Sequence, residues 1–198
     1  MRGTWNHNTH YHRLVLDAAP EGATKALDIG CGEGDLLAAL CRTLPDVVGI
    51  DADAAILERA HEAAPAATLV HGDFLTHRFP NESFDLVAAI AALHHMDFGL
   101  ALQRVHELLR PGGVAVIIGI ARPHSPADYA IEAIGVVATR LMRLVRGYKQ
   151  VQAPTLWPPP MTYAECEQIG RQALPGAVFR RRVFFRYSLV WTKATTAR

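Results

Sequence analysis

The junction at residues 25–36 constrains this chain most. A short apolar run, Lys25-Ala26-Leu27-Asp28-Ile29, ends in Gly30-Cys31-Gly32-Glu33-Gly34, and apolar residues at helical spacing follow from Leu36 to Leu44. Strand, glycine turn and helix in that order open a βα unit, because glycines let the backbone reverse tightly and approach a ligand where a Cβ would intrude.

The alternation continues downstream. Val47-Val48-Gly49-Ile50 reads as a second buried strand ending at Asp51, followed by a helix over 54–64. Residues 68–70 and 84–90 read as strands, 99–109 as a helix closed by Arg110-Pro111-Gly112-Gly113, and 114–120 as a fifth strand. Strands that are continuous apolar runs are covered on both faces, which calls for a mostly parallel sheet between helices. Beyond residue 120 the pattern changes: a helix is expected over 127–146, then a proline-rich stretch with Pro154 and Pro158-Pro159-Pro160, so 121–160 reads as an insertion over the ligand edge of the sheet. Residues 162–173 read as a helix with Thr162 and Glu165 spaced for a capping box, and 177–185 with 187–193 as an antiparallel edge hairpin. The expected fold class is α/β: a Rossmann-like, doubly wound, mostly parallel sheet of seven strands in three α/β/α layers. With 198 residues, half of them apolar, one domain accommodates the chain. It divides into an N-terminal lid segment (1–23), a ligand-binding core (24–120), the inserted segment (121–160) and a C-terminal helix and hairpin (161–198).

Lys plus Arg (20) nearly balance Asp plus Glu (19), and a net charge of +1 lacks the positive field with which proteins grip nucleic-acid phosphates. Three cysteines with no C-x-x-C pair suggest neither a disulfide framework nor a zinc knuckle, which fits a reducing cytoplasm. The first residues lack the apolar stretch of a signal peptide, and no later run reaches the roughly 18 apolar residues of a membrane span. His7, His10 and His12 have no carboxylate or cysteine among them and do not share one helical face, so no metal site is expected.

A dinucleotide fingerprint would place its third glycine at position 35, which is Asp35, an acid ill suited to a neighbouring pyrophosphate. Asp51 closes the second strand about twenty residues on, where a carboxylate can accept from both hydroxyls of a ribose. Asp73 ends the third strand with Phe74 after it, a pair able to accept from an adenine amino group and wall its ring. These strand ends meet at one crevice, and together they point to an adenosine without pyrophosphate.

The stretch 26–34 resembles motif I of the class I S-adenosylmethionine-dependent methyltransferases, in particular small-molecule enzymes of the ubiquinone-biosynthesis type. The likeness extends through Asp51, Gly72-Asp73-Phe74, Phe84-Asp85-Leu86-Val87, Leu93-His94-His95 and Leu109-Arg110-Pro111-Gly112-Gly113. It implies S-adenosylmethionine as cofactor and S-adenosylhomocysteine as product. It places Asp28, Gly30, Cys31, Gly32 and Gly34 against the methionine part, Asp51 and Ala52 at the ribose, Asp73 and Phe74 at the adenine, and the backbone of Ala89, Ile90 and Ala91 at the amino group. Ile90 and Ala91 are apolar where many relatives carry a polar residue. In relatives the N-terminal segment often lids the cofactor, which makes Tyr11 a candidate contact, with Asn8 and His12 weaker; a helix packed on the sheet is the alternative.

Methyl transfer from a sulfonium is an in-line displacement with an activated donor, so alignment in a dry pocket is the main task and a base is optional. His94 and His95 are the candidate bases for an acceptor hydroxyl, against a purely structural role for the pair. His124 and Tyr129 in the insertion are lesser candidates. Arg140, Arg143, Arg146 and the Arg180-Arg181-Arg182 run read as solvated faces, or as receivers of an anionic substrate or membrane surface. The expected function is methylation of O, N or C on a small-molecule acceptor by a monomer or homodimer. A nucleic-acid methyltransferase and a non-catalytic cofactor-binding protein remain as alternatives. The former lacks its Asn-or-Asp-Pro-Pro-aromatic segment here, since the fourth strand runs out through Ala89-Ile90-Ala91-Ala92.

Overall fold

The computed structural model describes residues 5–149 and 156–195. Pro154 of the proline-rich stretch and the first four residues of the expected lid lie outside them. The elements run α1 (His12–Asp17), β1 (Lys25–Ile29), α2 (Asp35–Leu40), β2 (Asp46–Asp51), α3 (Ala54–Ala63), β3 (Thr68–His71), β4 (Phe84–Ile90), α4 (Phe98–Leu108), β5 (Leu109–Gly119), α5 (Pro126–Arg146), α6 (Tyr163–Ala173), β6 (Val178–Arg182) and β7 (Arg186–Thr192). Short 3-10 turns precede α1 and follow β4.

The seven strands form one sheet in the order β3-β2-β1-β4-β5-β7-β6. Strands β1 to β5 pair in parallel, and β7 runs antiparallel to both β5 and β6. Order reverses between β1 and β4, and this opens a crevice beyond their carboxyl ends. Alternate side chains feed two cores. Leu27, Ile29, Val87 and Ala89 pack with α4 and α6 on one face, while Ala26, Leu86 and Ala88 pack with α1, α2 and α3 on the other.

Three boundaries depart from the sequence reading. Helix α2 stops at Leu40, because the Leu40 carbonyl accepts from the Thr43 and Leu44 amides and from the Thr43 hydroxyl, turning the chain toward β2. Strand β5 begins at Leu109, so the expected turn at 110–113 belongs to the sheet; Gly112 donates to Lys193 O and Lys193 donates to Gly113 O. The turn between β6 and β7 is sharp, with Phe184 and Phe185 both at positive φ. The expected capping box of α6 is present: Thr162 Oγ1 accepts from Glu165 N, and Glu165 Oε2 from Thr162 N.

Candidate active site

The three loop glycines all adopt positive φ, at +66° (Gly30), +53° (Gly32) and +79° (Gly34), yet serve different needs. A Cβ on Gly30 would stand 2.5 Å from Ala92 Cβ, and one on Gly34 2.9 Å from Ala60 Cα. Both are therefore close-approach positions, and Gly34, the N-cap of α2, does not line the cavity. A Cβ on Gly32 would meet no atom within 4 Å, so this glycine faces open space. Gly49 in β2 leaves room for Leu37 and Cys31, whose buried thiol is pushed well above its ordinary range, chiefly by burial.

That open space is a cavity of about 420 Å³ at the carboxyl ends of the strands, large enough for a nucleoside-sized ligand. Of the residues expected at the cofactor, Asp28, Gly30, Cys31, Gly32, Asp51, Ala52, Asp73, Phe74, Ile90 and Ala91 line it. Glu33, Asp35, Asp53, Ala92 and Met96 line it too. Six of the lining residues are acids and none is Lys or Arg; Lys149 pairs with Glu33 and Asp35, and the remaining acids oppose a pyrophosphate and suit a ligand bearing positive charge. Asp28 is fully buried, and loss of water with the negative Asp51 beside it raises its carboxyl well above the usual range. Asp51 Oδ2 accepts from Gly32 N at 2.9 Å and Oδ1 from Asp53 N at 3.0 Å, so this acid at the end of β2 also fixes the glycine loop. Asp73 Oδ1 accepts from Leu75 N and Thr76 N, and Arg104 Nε donates to the Phe74 carbonyl.

Ala91 leaves β4 at φ +54°, an uncommon conformation for a residue with a Cβ. Its amide donates to Ile118 O at 2.7 Å, and this turn brings Ile90, Ala91 and Ala92 onto the cavity wall. Ala89 is still inside the sheet, completely buried, and does not reach the cavity. The two histidines separate. His95 lines the cavity with Met96, whereas His94 does not; it is 8% exposed and its Nδ1 has no hydrogen-bond partner. Burial, with His95 and Arg186 nearby, pushes the His94 imidazole down to about 4.

The N-terminal segment roofs the cavity, but not through Tyr11. Its hydroxyl donates to Val183 O at 2.5 Å in the β6–β7 turn, and burial pushes it up to about 12. The roof is instead Asn6, Asn8, Thr9 and His12. Asn6 Oδ1 accepts from the Asn8 and Thr9 amides, which shapes the turn, and Asn8 Oδ1 accepts from Arg186 Nη2 at 2.8 Å. Asn6 and Thr9 were missed in the sequence; the Asn-x-x-Thr spacing of a local side-chain-bonded turn was the available signal. Among the described residues no group of three or more His, Cys, Asp or Glu is placed to hold a metal, and no helix is long and apolar enough to cross a membrane.

A family model described as "Methyltransferase domain" matches residues 27–117. An uncharacterized methyltransferase of Mycobacterium bovis is 37% identical over 194 residues, 96% of this chain and 98% of that protein. Demethylmenaquinone methyltransferase of Staphylococcus aureus is 33% identical over 127 residues, covering 61% of this chain and 53% of that one. Among solved structures, a TehB-like S-adenosylmethionine-dependent methyltransferase of Corynebacterium glutamicum superposes with a TM-score of 0.60 at 20% identity, over 95% of this chain and 89% of that one. A methyltransferase of Methanosarcina mazei gives 0.63 at 16% identity, over 92% and 97%. These two likenesses establish the fold, and the near full-length mycobacterial match establishes the family. With a glycine-lined, acid-walled cavity at the switch point of the sheet, the chain belongs to the S-adenosylmethionine-dependent methyltransferases.

Proposed function

We propose that the enzyme methylates O, N or C of a small-molecule acceptor, with His95 as the group that takes the acceptor's proton. The carrying observation is the two-sidedness of the cavity. Gly32, Asp51, Asp73 and Phe74 line it at the ends of β1 to β3, and His95 and Met96 line it after β4, under a roof of Asn8, Thr9 and His12. When bound, the cofactor supplies a sulfonium methyl open to in-line attack. The chain's own residues then have three tasks. The backbone of the glycine loop and the carboxylates of Asp51 and Asp73 hold the donor, Asp73 through Oδ2 because Oδ1 is engaged by backbone amides. The roof and the apolar wall of Ile90, Ala91, Ala92 and Met96 exclude water, which strengthens alignment. His95 accepts the proton that an attacking hydroxyl must lose. The named substrate of the staphylococcal relative supports a small acceptor, and carboxylates around the cavity disfavour the phosphates of a nucleic acid.

The test is transfer of labelled methyl from S-adenosylmethionine to a panel of phenols, quinols, amines and hydroxy acids, with nucleic acid as comparison. His95→Gln should lower kcat by about a hundredfold or more at unchanged S-adenosylhomocysteine affinity. An unchanged kcat across the pH profile overturns the role of His95, and transfer to nucleic acid alone overturns the acceptor class.

A further inference from the structure

Helix α5 has an inner side and an outer side of very different character. Its inner side meets the protein narrowly. Gly135 and Thr139 are its buried positions, Gly135 beside Phe184 and Phe185, and Thr139 Oγ1 lying 3.2 Å from His7 Nε2. Its two acids are used on that side: Arg181 lies 3.1 Å from Asp128 and 3.8 Å from Glu132. The outer side is apolar and, among the described residues, uncovered. Leu144 is 86% exposed, Val137 67%, Ile134 61%, Leu141 59% and Val145 58%. At about 100° per residue, the exposed apolar positions from Val136 round to Val145 span half the circumference of the helix. Arg140 stands within that half, Arg143 at its edge with its guanidinium 4.2 Å from the centroid of the Tyr148 ring, and Arg146 about 60° further round toward the buried positions; all three are exposed. Beyond Glu132 the helix carries these three arginines and no acid.

We infer that α5 docks the enzyme on an anionic lipid bilayer, its apolar half entering the headgroup–acyl boundary and its arginines meeting lipid phosphates. A broad half-cylinder of aliphatic side chains suits a fluid surface, and the length and sequence suit lying on it, since no described helix can cross it. Charge selects among occupants. A second copy pairing α5 on α5 would bring the same apolar face and the same arginines, with no acid on the helix beyond Glu132 to receive them, whereas lipid phosphates complement Arg140 and Arg143. Docking would also orient the site: Lys149, just after the helix, binds Asp35 at 2.8 Å and Glu33 at 3.2 Å, and both acids line the cavity, so α5 stands at the cavity end of the sheet.

The test uses the full chain with vesicles of phosphatidylcholine alone or with added phosphatidylglycerol, read by cosedimentation. The enzyme should partition onto the anionic vesicles and be released by salt. Leu141→Glu with Leu144→Glu changes only exposed positions, so melting temperature and S-adenosylhomocysteine affinity should stay at wild-type values while partition falls by roughly tenfold or more. Arg140→Glu with Arg143→Glu should remove the preference for phosphatidylglycerol. No partition of the wild type onto anionic vesicles overturns the inference. So does equal partition of the leucine variant, or a concentration-dependent dimer, lost in that variant, without vesicle binding. These readouts measure partition and not turnover, so they stand or fall apart from the identity of the acceptor.

Discussion

Substituting alanine at Gly30 and at Gly32 should separate folding from binding within one loop. Both sit at positive φ, where a Cβ costs about 1–2 kcal/mol. At Gly32 that is the whole cost to stability, because the new methyl meets no protein atom within 4 Å. For a chain of this size it corresponds to a fall in melting temperature of roughly 2–8 °C. The same methyl stands in the cavity, so donor binding should be lost or severely weakened. At Gly30 the new Cβ would lie 2.5 Å from Ala92 Cβ, which is attached directly to backbone and cannot swing aside. Overpacking adds about 1–3 kcal/mol, for a total near 2–5 kcal/mol. Calorimetry with S-adenosylhomocysteine and thermal melting distinguish the two. Gly30→Ala with Ala92→Gly should recover the overpacking part and leave the backbone part. A folded Gly32→Ala that binds at wild-type affinity, or a Gly30→Ala no less stable than Gly32→Ala, would refute the division of labour.

Other expectations follow from the same geometry. Asp51→Asn should weaken S-adenosylmethionine binding by about 1.5–3 kcal/mol, the worth of hydrogen bonds to a charged group; calorimetry showing no change removes Asp51 from the ribose. His94 is pushed down to about 4 from 6.5, so it favours the folded state fully above pH 6.5, and that contribution fades as pH falls toward 4, where the unfolded chain binds a proton that the folded one refuses. Denaturation midpoints of His94→Gln should therefore slope less with pH across this window than those of the wild type, and parallel slopes would contradict the burial argument. Gly119→Ala should destabilise by about 1–3 kcal/mol or more, since its Cβ would clash with the phenol end of Tyr187 across the β5–β7 ladder. Tyr187→Leu in the same chain should restore part of that loss in thermal melts.

The sequence exposed the cavity floor because that floor is local. Gly30, Gly32, Asp51 and Asp73 each sit at the end of a strand whose apolar run is readable, and parallel pairing carries those ends to one place. The short reach of Thr43 to Leu40 that ends α2 is equally local, but the apolar period running on to Leu44 masks it. Tyr11 shows where such reading fails. Its partner, the Val183 carbonyl, comes from a turn that exists only because β6 and β7 pair and Phe184 and Phe185 adopt positive φ. Nothing near Tyr11 announces that. His94 and His95 are adjacent in the chain and alike in chemistry, and only the path of the 3-10 turn assigns one to the cavity and the other to the interior.

The hydrogen bond between Asn8 and Arg186 joins residues 178 positions apart. A growing chain would possess every glycine and acid of the cavity floor long before it possessed the residue that pins the roof. Arg186 opens β7, the strand that enters between β5 and β6, so the roof waits on the slowest kind of contact, a pairing across nearly the whole sequence. The water-excluding, roofed form of the cavity is thus expected only once β7 has paired, whereas the floor that would hold the donor needs none of those late contacts.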